Sequence, residues 1–294
     1  MNKKTNNKLV LLALLIILAI IAIFFFKNNF SKPQLVGEID NQSLKVHYID
    51  VGQGDAMLVQ YNGKNMLIDS GSKSSSDKIL TYLDDLNIKT IDIVVATHPN
   101  EDHMGNMAAI VKKYSVLSFY APKVTVNQYF FESLVTELNN KKLKITPVYA
   151  GSSINFDPNI KISVFWPEEN KTYTNLNDYC IVMSLKYGNN SFLFTGDVES
   201  ANEKKILQYG YDVEADVLKV AHHGSKTSSS KEFLDAVNGK YAIIEVGLNN
   251  PYGHPSKTTI DELTSRGYKI YRTDLNGSIV VTSNGNTIKI STNK

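Results

Sequence analysis

The chain has 294 residues, a net charge of +2 and a hydrophobic share of 43%. That length suits one large domain or two small ones with a real apolar core, and the near-neutral balance excludes a global field for nucleic acid, so any such binding must be local. The single cysteine, Cys180, excludes an internal disulfide and a multi-cysteine zinc site; its place within a predicted strand reads as core filling.

Residues 9–26 are apolar and carry no charge, close to the roughly 20 residues a helix needs to cross a bilayer. Lys3, Lys4 and Lys8 precede them, which by the positive-inside rule keeps the N-terminus in the cytoplasm. The run is longer than a typical signal-peptide core, and Phe24-Phe25-Phe26-Lys27 is a poor cleavage site. The expected organisation is a cytoplasmic tail (1–8), a transmembrane signal anchor held in the lipid bilayer (9–26), a polar linker (27–42) and a domain outside the cell membrane (43–294).

Alternation over 44–51 predicts a strand, followed by a tight glycine turn at Val51-Gly52-Gln53-Gly54-Asp55-Ala56. Residues 57–61 and 65–68 form a predicted hairpin about Asn62-Gly63, a strong turn dipeptide. Helical spacing covers 76–86, with residues 74–77 as candidate N-caps. The continuous apolar run 91–96 suits a strand buried on both faces. Beyond it come a helix over 104–114, a strand over 116–120, a helix over 128–140, and strands over 145–148 and 160–166. A second hairpin spans 181–187 and 191–195, turned at Gly188-Asn189-Asn190. Helices over 199–209, 231–237 and 256–265 (N-cap Ser256) alternate with strands over 217–221, 241–246 and 270–273. Strands over 278–282 and 287–290 close the chain. Elements alternate in similar ways before and after about residue 160, which suits a layered α/β sandwich built from two halves.

Polar side chains gather at the ends of predicted strands. Thr97-His98-Pro99-Asn100-Glu101-Asp102-His103 follows one apolar strand, Asp197 another, His222-His223 a third and His254 a fourth. Five of the six histidines lie in these loops; the sixth, His47, sits in an alternating strand and reads as structural. Asp55 and Asp69 end two further strands and can join the same edge. Neutral imidazole and carboxylate are ligands for divalent Zn or Mn, and ligands carried on several strand ends are how an α/β layer builds a site.

These segments resemble the metallo-β-lactamase-fold hydrolases, and more narrowly the extracytoplasmic hydrolase domain of the ComEC competence (DNA-uptake) proteins. The likeness covers about residues 44–291. It rests on Asp50-Val51-Gly52-Gln53-Gly54-Asp55, Leu67-Ile68-Asp69-Ser70-Gly71, Thr97-His98 through Asp102-His103, Phe194-Thr195-Gly196-Asp197, Leu218-Lys219-Val220-Ala221-His222-His223-Gly224-Ser225, Tyr252-Gly253-His254-Pro255 and Tyr271-Arg272-Thr273-Asp274, in that order. The resemblance implies a four-layer αββα sandwich with one or two divalent ions, Zn or Mn, on one edge. By that likeness His98 and Asn100 face one ion, Asp102 and His103 the other, and Asp197 bridges them. His222, His223 or His254 completes the shell, and spacing does not separate the three. Asn100 departs from the family's His or Asp, so one ion position is weakened. ComEC proteins carry a polytopic channel and this chain one predicted span, so what is shared is the hydrolase chemistry.

The expected reaction is hydrolysis of a phosphodiester, with nucleic acid as the substrate class. Asp197 positions the ions, and Asp102 serves as ligand and proton acceptor. Lys219, Ser225 and Lys226 flank the double histidine and are placed to hold a phosphate; solvated lysines and a helix-capping serine are the ordinary alternative. Gln53, Asp55 and Asp69 are placed to orient the ligands from behind, or in the glycine-rich segment simply to form its turn. The fold also serves lactone, thioester and amide hydrolysis. Asn100 leaves open a third reading, a metal-poor, non-catalytic module that grips DNA or an envelope partner. The mixed oxygen and nitrogen donor set leans toward Mn.

Overall fold

Backbone pairing follows the apolar alternation that the sequence displays. The computed structural model describes residues 43–294, so the predicted membrane anchor lies outside the described residues. In chain order the strands are β1 (Leu44–Tyr48), β2 (Met57–Tyr61), β3 (Lys64–Ile68), β4 (Thr90–Val95), β5 (Ser115–Ala121), β6 (Ile145–Pro147) and β7 (Ile160–Trp166). They continue as β8 (Val182–Tyr187), β9 (Asn190–Phe194), β10 (Val217–Lys219), β11 (Tyr241–Ile244), β12 (Lys269–Arg272), β13 (Ile279–Ser283) and β14 (Ile288–Thr292). One sheet has the order β14-β13-β1-β2-β3-β4-β5-β6, the other β12-β11-β10-β9-β8-β7. The halves of the chain therefore do not map onto the sheets as the alternation suggested: β13 and β14 return to pair with β1.

The β2–β3 hairpin is closed by Asn62 and Gly63, both left-handed (φ 51° and 74°), with Tyr61 opposite Lys64. This is the geometry that makes Asn-Gly a hairpin signal. In the β8–β9 hairpin the turn is Gly188-Asn189, and Asn190 already belongs to the strand.

Three apolar layers organise the domain. Between the sheets, Val46, Met57, Val59, Ile93 and Val95 meet Ile162, Met183, Phe192, Phe194 and Ile243. The opposite faces of the same strands, through Leu58, Leu67 and Val94, pack on Ile79, Leu83, Ile110 and Leu134 of the helices Ser76–Asp85, Met107–Lys113 and Tyr129–Asn140. Leu193, Leu218, Ala242 and Ile244 of the second sheet pack on Ile206, Phe233, Leu234 and Leu263 of Ser200–Gln208, Lys231–Val237 and Lys257–Ser265. Helices thus cover both outer faces, the α/β sandwich that the layering requires. Each fully buried Leu or Phe contributes about 1.5–3 kcal/mol. No helix among the described residues is long and apolar enough to cross a membrane.

The helix expected over 104–114 is broken. A single turn, Glu101–Met104, is followed by Gly105-Asn106 and then by Met107–Lys113. A Cβ at Gly105 would run into the Lys73 backbone nitrogen, and the Asn106 amide donates to the Ser70 carbonyl at 2.9 Å. The break lets the turn after β4 dock on the loop after β3, which positions His103.

His47 is structural, as its strand position suggested. It is buried, with Nδ1 2.9 Å from the Tyr82 hydroxyl. Burial, and then Lys45, lowers its pKa from 6.5 to about 4. Above pH 6.5 neither the folded nor the unfolded state holds the extra proton, and the fold has its full stability. As pH falls toward 4 the unfolded chain takes up a proton that the folded chain refuses, so stability is lost across that window, by about 3 kcal/mol for this one group. Denaturant titrations of the 43–294 fragment at pH 7.5, 6, 5 and 4 should show a shallower acid decline for His47→Gln than for the parent. Equal slopes would refute the assignment.

Candidate metal centre

The carboxyl ends of β3 and β4 from one sheet and of β9, β10 and β11 from the other supply one cluster. Asp69 follows β3 in a left-handed conformation (φ 58°) and accepts from the Thr97 N–H at 2.8 Å and the Thr97 hydroxyl at 2.6 Å. The β4 loop carries His98, Asn100, Asp102 and His103. Asp197 follows β9, its N–H donating to Cys180 Sγ at 3.1 Å. His222 and His223 follow β10 in two successive left-handed residues (φ 50° and 53°). That turn sends the neighbours apart: His223 is buried, while the His222 side chain is 24% exposed.

Four ligand-type side chains converge: Asp102, His103, Asp197 and His223 offer atoms that all lie within 4.8 Å of one another. His103 Nε2 is 3.2 Å from Asp197 Oδ1; His223 Nε2 is 3.3 Å from Asp102 Oδ2 and 3.6 Å from Asp197 Oδ2. Ligands bound about 2.0–2.2 Å from one ion stand roughly 3–3.5 Å apart, so the group has the dimensions of a single coordination shell. His98 Nε2 adjoins it, 3.8 Å from Asp197 Oδ2. The Nε2 atoms of His98, His103 and His223 and Oδ1 of Asp197 are buried and make no hydrogen bond. Buried polar atoms without partners are uncommon and call for an explanation. A cation among them is one, and the donor set fits it.

The other ring nitrogens are tied down. His103 Nδ1 faces Asp69 Oδ2 at 2.8 Å, and His223 Nδ1 faces the Glu245 carbonyl at 2.8 Å with Asp55 Oδ1 at 3.2 Å. Asp69 and the Glu245 carbonyl each accept an Nδ1–H, which orients the ring and turns its Nε2 toward the cluster. The field there is negative. Burial opposes a charge on His103, yet Asp197 and Asp69 raise its pKa well above the ordinary value; against the same opposition, Asp197 and Asp55 lift His223 to about 10. Burial, then His103, keeps His98 neutral by lowering it to about 3. In this negative field a cation would compete with the ring protons for the Nε2 atoms of His103 and His223.

Several sequence expectations need correction. Lys219 neither holds phosphate nor lies in solvent: it is fully buried, its Nζ 2.7 Å from Asp55 Oδ2. Ser225 is buried in its own turn, with Oγ 3.0 Å from the Thr227 hydroxyl, so it does not face a substrate. Nor does Ser225 cap the next helix: Ser230 stands at that N-cap without a side-chain bond, and Glu203 accepts from the Ser229 and Ser230 N–H groups. Lys226 is exposed. Of the three alternatives for the last histidine, His223 is in the cluster. His222 lies at its rim with Nε2 3.7 Å from Asp197 Oδ2, and His254 is a ring further out, 5.7 Å from His222 between centres. The Asn100 amide donates to Asn177 Oδ1 at 2.8 Å. Gln53 makes no hydrogen bond to a clustered side chain; its Oε1 accepts from the Gly247 N–H at 3.1 Å and its buried Nε2 has no hydrogen-bond partner. Cys180 precedes β8 rather than lying within a strand.

Glu245 and Asn177 were not singled out in the sequence. Glu245 had a signal, a charge inside an apolar strand; it is fully buried and its Oε1 accepts from the Ala56 N–H at 3.0 Å. Asn177 had none, since its loop pairs with the β4 loop only in three dimensions.

Two substitutions test the supports. Asp69→Ala frees the His103 ring and should weaken ion binding about ten- to a hundredfold, read by calorimetric titration with Mn or Zn; unchanged affinity would show that Asp69 orients nothing. Lys219→Met strands the Asp55 carboxylate and should lower folding stability by about 3–5 kcal/mol in denaturant melts. A variant of full stability with only a raised KM would restore the phosphate-holding role.

Comparison with known proteins agrees with this geometry. Residues 49–247 match the profile of the Metallo-beta-lactamase superfamily. ComE operon protein 3 of Bacillus subtilis (strain 168) is 30% identical over 253 residues, covering 80% of this chain and 32% of that protein. Competence protein ComA of Neisseria gonorrhoeae is 28% identical over 232 residues, 78% of this chain and 31% of that one. The chain spans about a third of the length of these curated relatives. The metallo-beta-lactamase fold protein YhfI from Bacillus subtilis superposes with a TM-score of 0.55 at 11% identity, over 82% of this chain and 99% of that one, a likeness of fold alone. With a family match that takes in most of the sandwich and both clustered aspartates, the chain belongs to the metallo-β-lactamase superfamily.

Proposed function

We propose that this domain is a divalent-metal-dependent phosphodiesterase acting on nucleic acid, held outside the cell by the apolar segment 9–26. The observation that carries the reading is the meeting of two oriented imidazoles and two carboxylates around buried polar atoms without hydrogen-bond partners. A divalent ion there, Mn or Zn, would lower the pKa of water to about 7 and offset charge on phosphate oxygens. Asp102, His103, Asp197 and His223 would hold it. Asp197 is suited to the centre of the site: Oδ1 faces His103, while Oδ2 faces His98, His222 and His223. Asp102 is the more open carboxylate, its side chain 29% exposed against 3% for Asp197. It is therefore the group able to accept a proton from the attacking water and pass it to solvent. Exposed Lys226, beyond the double histidine, remains available to a substrate phosphate.

The names of the competence-protein relatives support nucleic acid as the substrate class. The assembled donor set supports a metal-bound hydrolase over a metal-poor binding module. Asn100, a neutral amide engaged with Asn177, supports one firmly held ion rather than two.

Full-length protein in detergent, stripped by chelator and reloaded with Mn or Zn, should regain hydrolysis of bis-p-nitrophenyl phosphate and of single-stranded DNA. Asp197→Ala should lose roughly a hundredfold or more in rate together with its bound metal. Full activity in the stripped protein, or cleavage of a lactone but of neither phosphodiester, would reject the reading.

A further inference from the structure

A row of rings leads from the metal centre to solvent. His223 belongs to the cluster and His222 stands beside it, ring centres 6.2 Å apart. His254 follows 5.7 Å beyond His222, and Tyr252 stacks on His254 at 5.8 Å with 23° between the planes. Tyr252 ends the row with 66% of its surface exposed.

The loop that carries Tyr252 is built to hold its shape. Asn250 Oδ1 accepts from the N–H groups of Tyr252 (3.2 Å) and His254 (3.0 Å), and its Nδ2 donates to the carbonyls of Gly247 (3.0 Å) and His254 (2.6 Å). The Gly247 N–H in turn reaches Gln53 Oε1, in the glycine turn that carries Asp55. A Cβ at Gly247 would come within 2.7 Å of the Gln53 backbone nitrogen, so the close approach requires glycine. The exposed ring is therefore presented by a braced loop anchored to the same turn as the metal centre. A flat ligand stacking on it would order little that is not already ordered.

We infer that Tyr252, backed by His254, is a stacking platform for the base of a nucleotide next to the scissile phosphodiester. The inference rests on the proposed action on nucleic acid and specifies how the strand is gripped. The chain's net charge of +2 supplies no strong field, so a strand must be held by local contacts. Base–aromatic stacking is one that tolerates any sequence. Exposed Lys226, four residues past His222 in the chain, supplies a cation for the backbone.

The test compares KM and kcat of metal-loaded, full-length wild type, Tyr252→Ala and Tyr252→Phe on oligothymidylate and on an abasic oligomer of equal length. Tyr252→Ala should raise KM for oligothymidylate roughly ten- to a hundredfold with kcat little changed and the abasic oligomer unaffected; Tyr252→Phe should keep wild-type values. Equal losses on both oligomers, or no loss on either, would overturn the platform while leaving the nuclease reading intact. A wild type that cleaves neither oligomer would overturn both.

Discussion

A buried ion pair ties the two sheets together where the site is built. Asp55, between β1 and β2, lies 2.7 Å from Lys219 at the end of β10, and neither side chain reaches solvent. Charges removed from water are tolerated only when matched closely, so this pair constrains both loops at once. Other cross-sheet contacts at the same edge are also polar: the Ala56 N–H to Glu245, and the Gly247 N–H to Gln53. The apolar layer between the sheets supplies much of the stability but little direction, because hydrophobic burial is non-directional. The polar edge sets the angles. Asp69 then orients His103 by hydrogen bond, while the Glu245 carbonyl orients His223 with the fixed Asp55 carboxylate beside it.

The double histidine shows how local strain serves this aim. Left-handed backbone costs a non-glycine residue about 1–2 kcal/mol, and two occur in succession at His222 and His223. They persist because the surroundings hold them: the His222 N–H donates to the Gly196 carbonyl, the Ser225 N–H to that of His222, and His223 Nδ1 meets the Glu245 carbonyl. Observed strain of this kind is a feature of functional sites. Here it gives adjacent histidines different positions, one in the shell and one at its rim.

Much of this was legible in the sequence, and the parts that were not share a cause. Strand β7 and the helix Lys231–Val237 begin and end where periodicity places them, and Ser256 caps its helix by accepting from the Thr259 N–H. The site segments were legible because each pairs an apolar strand with a polar end. What sequence could not show was direction and depth. Lys219 looks like surface until Asp55 is brought to it from 164 positions away. The break at Gly105-Asn106 is invisible to helical spacing, because its reason is the loop at Ser70 and Ser72. Likewise His222, His223 and His254 are equivalent by composition, and only the left-handed turn distinguishes the first two.

Asn100 makes the centre electrically lopsided. On the proposed reading, an ion at the His103–His223 side has two carboxylates, Asp102 and Asp197. A position by His98 would share Asp197, and the neutral Asn100 side chain of the same loop, engaged with Asn177, adds no charge to it. A unit charge about 4 Å from a carboxylate gains roughly 4 kcal/mol at an effective dielectric of 20, and a divalent ion more. Replacing one such carboxylate by a neutral oxygen would therefore weaken the second position relative to the first. The orphaned Nε2 of His98 does not close that gap, since a neutral ring contributes a lone pair but no charge. On that reading one ion would be favoured, with buried Asp69, Asp55 and Glu245 behind the cluster and the more exposed Asp102 and His222 on its solvent side.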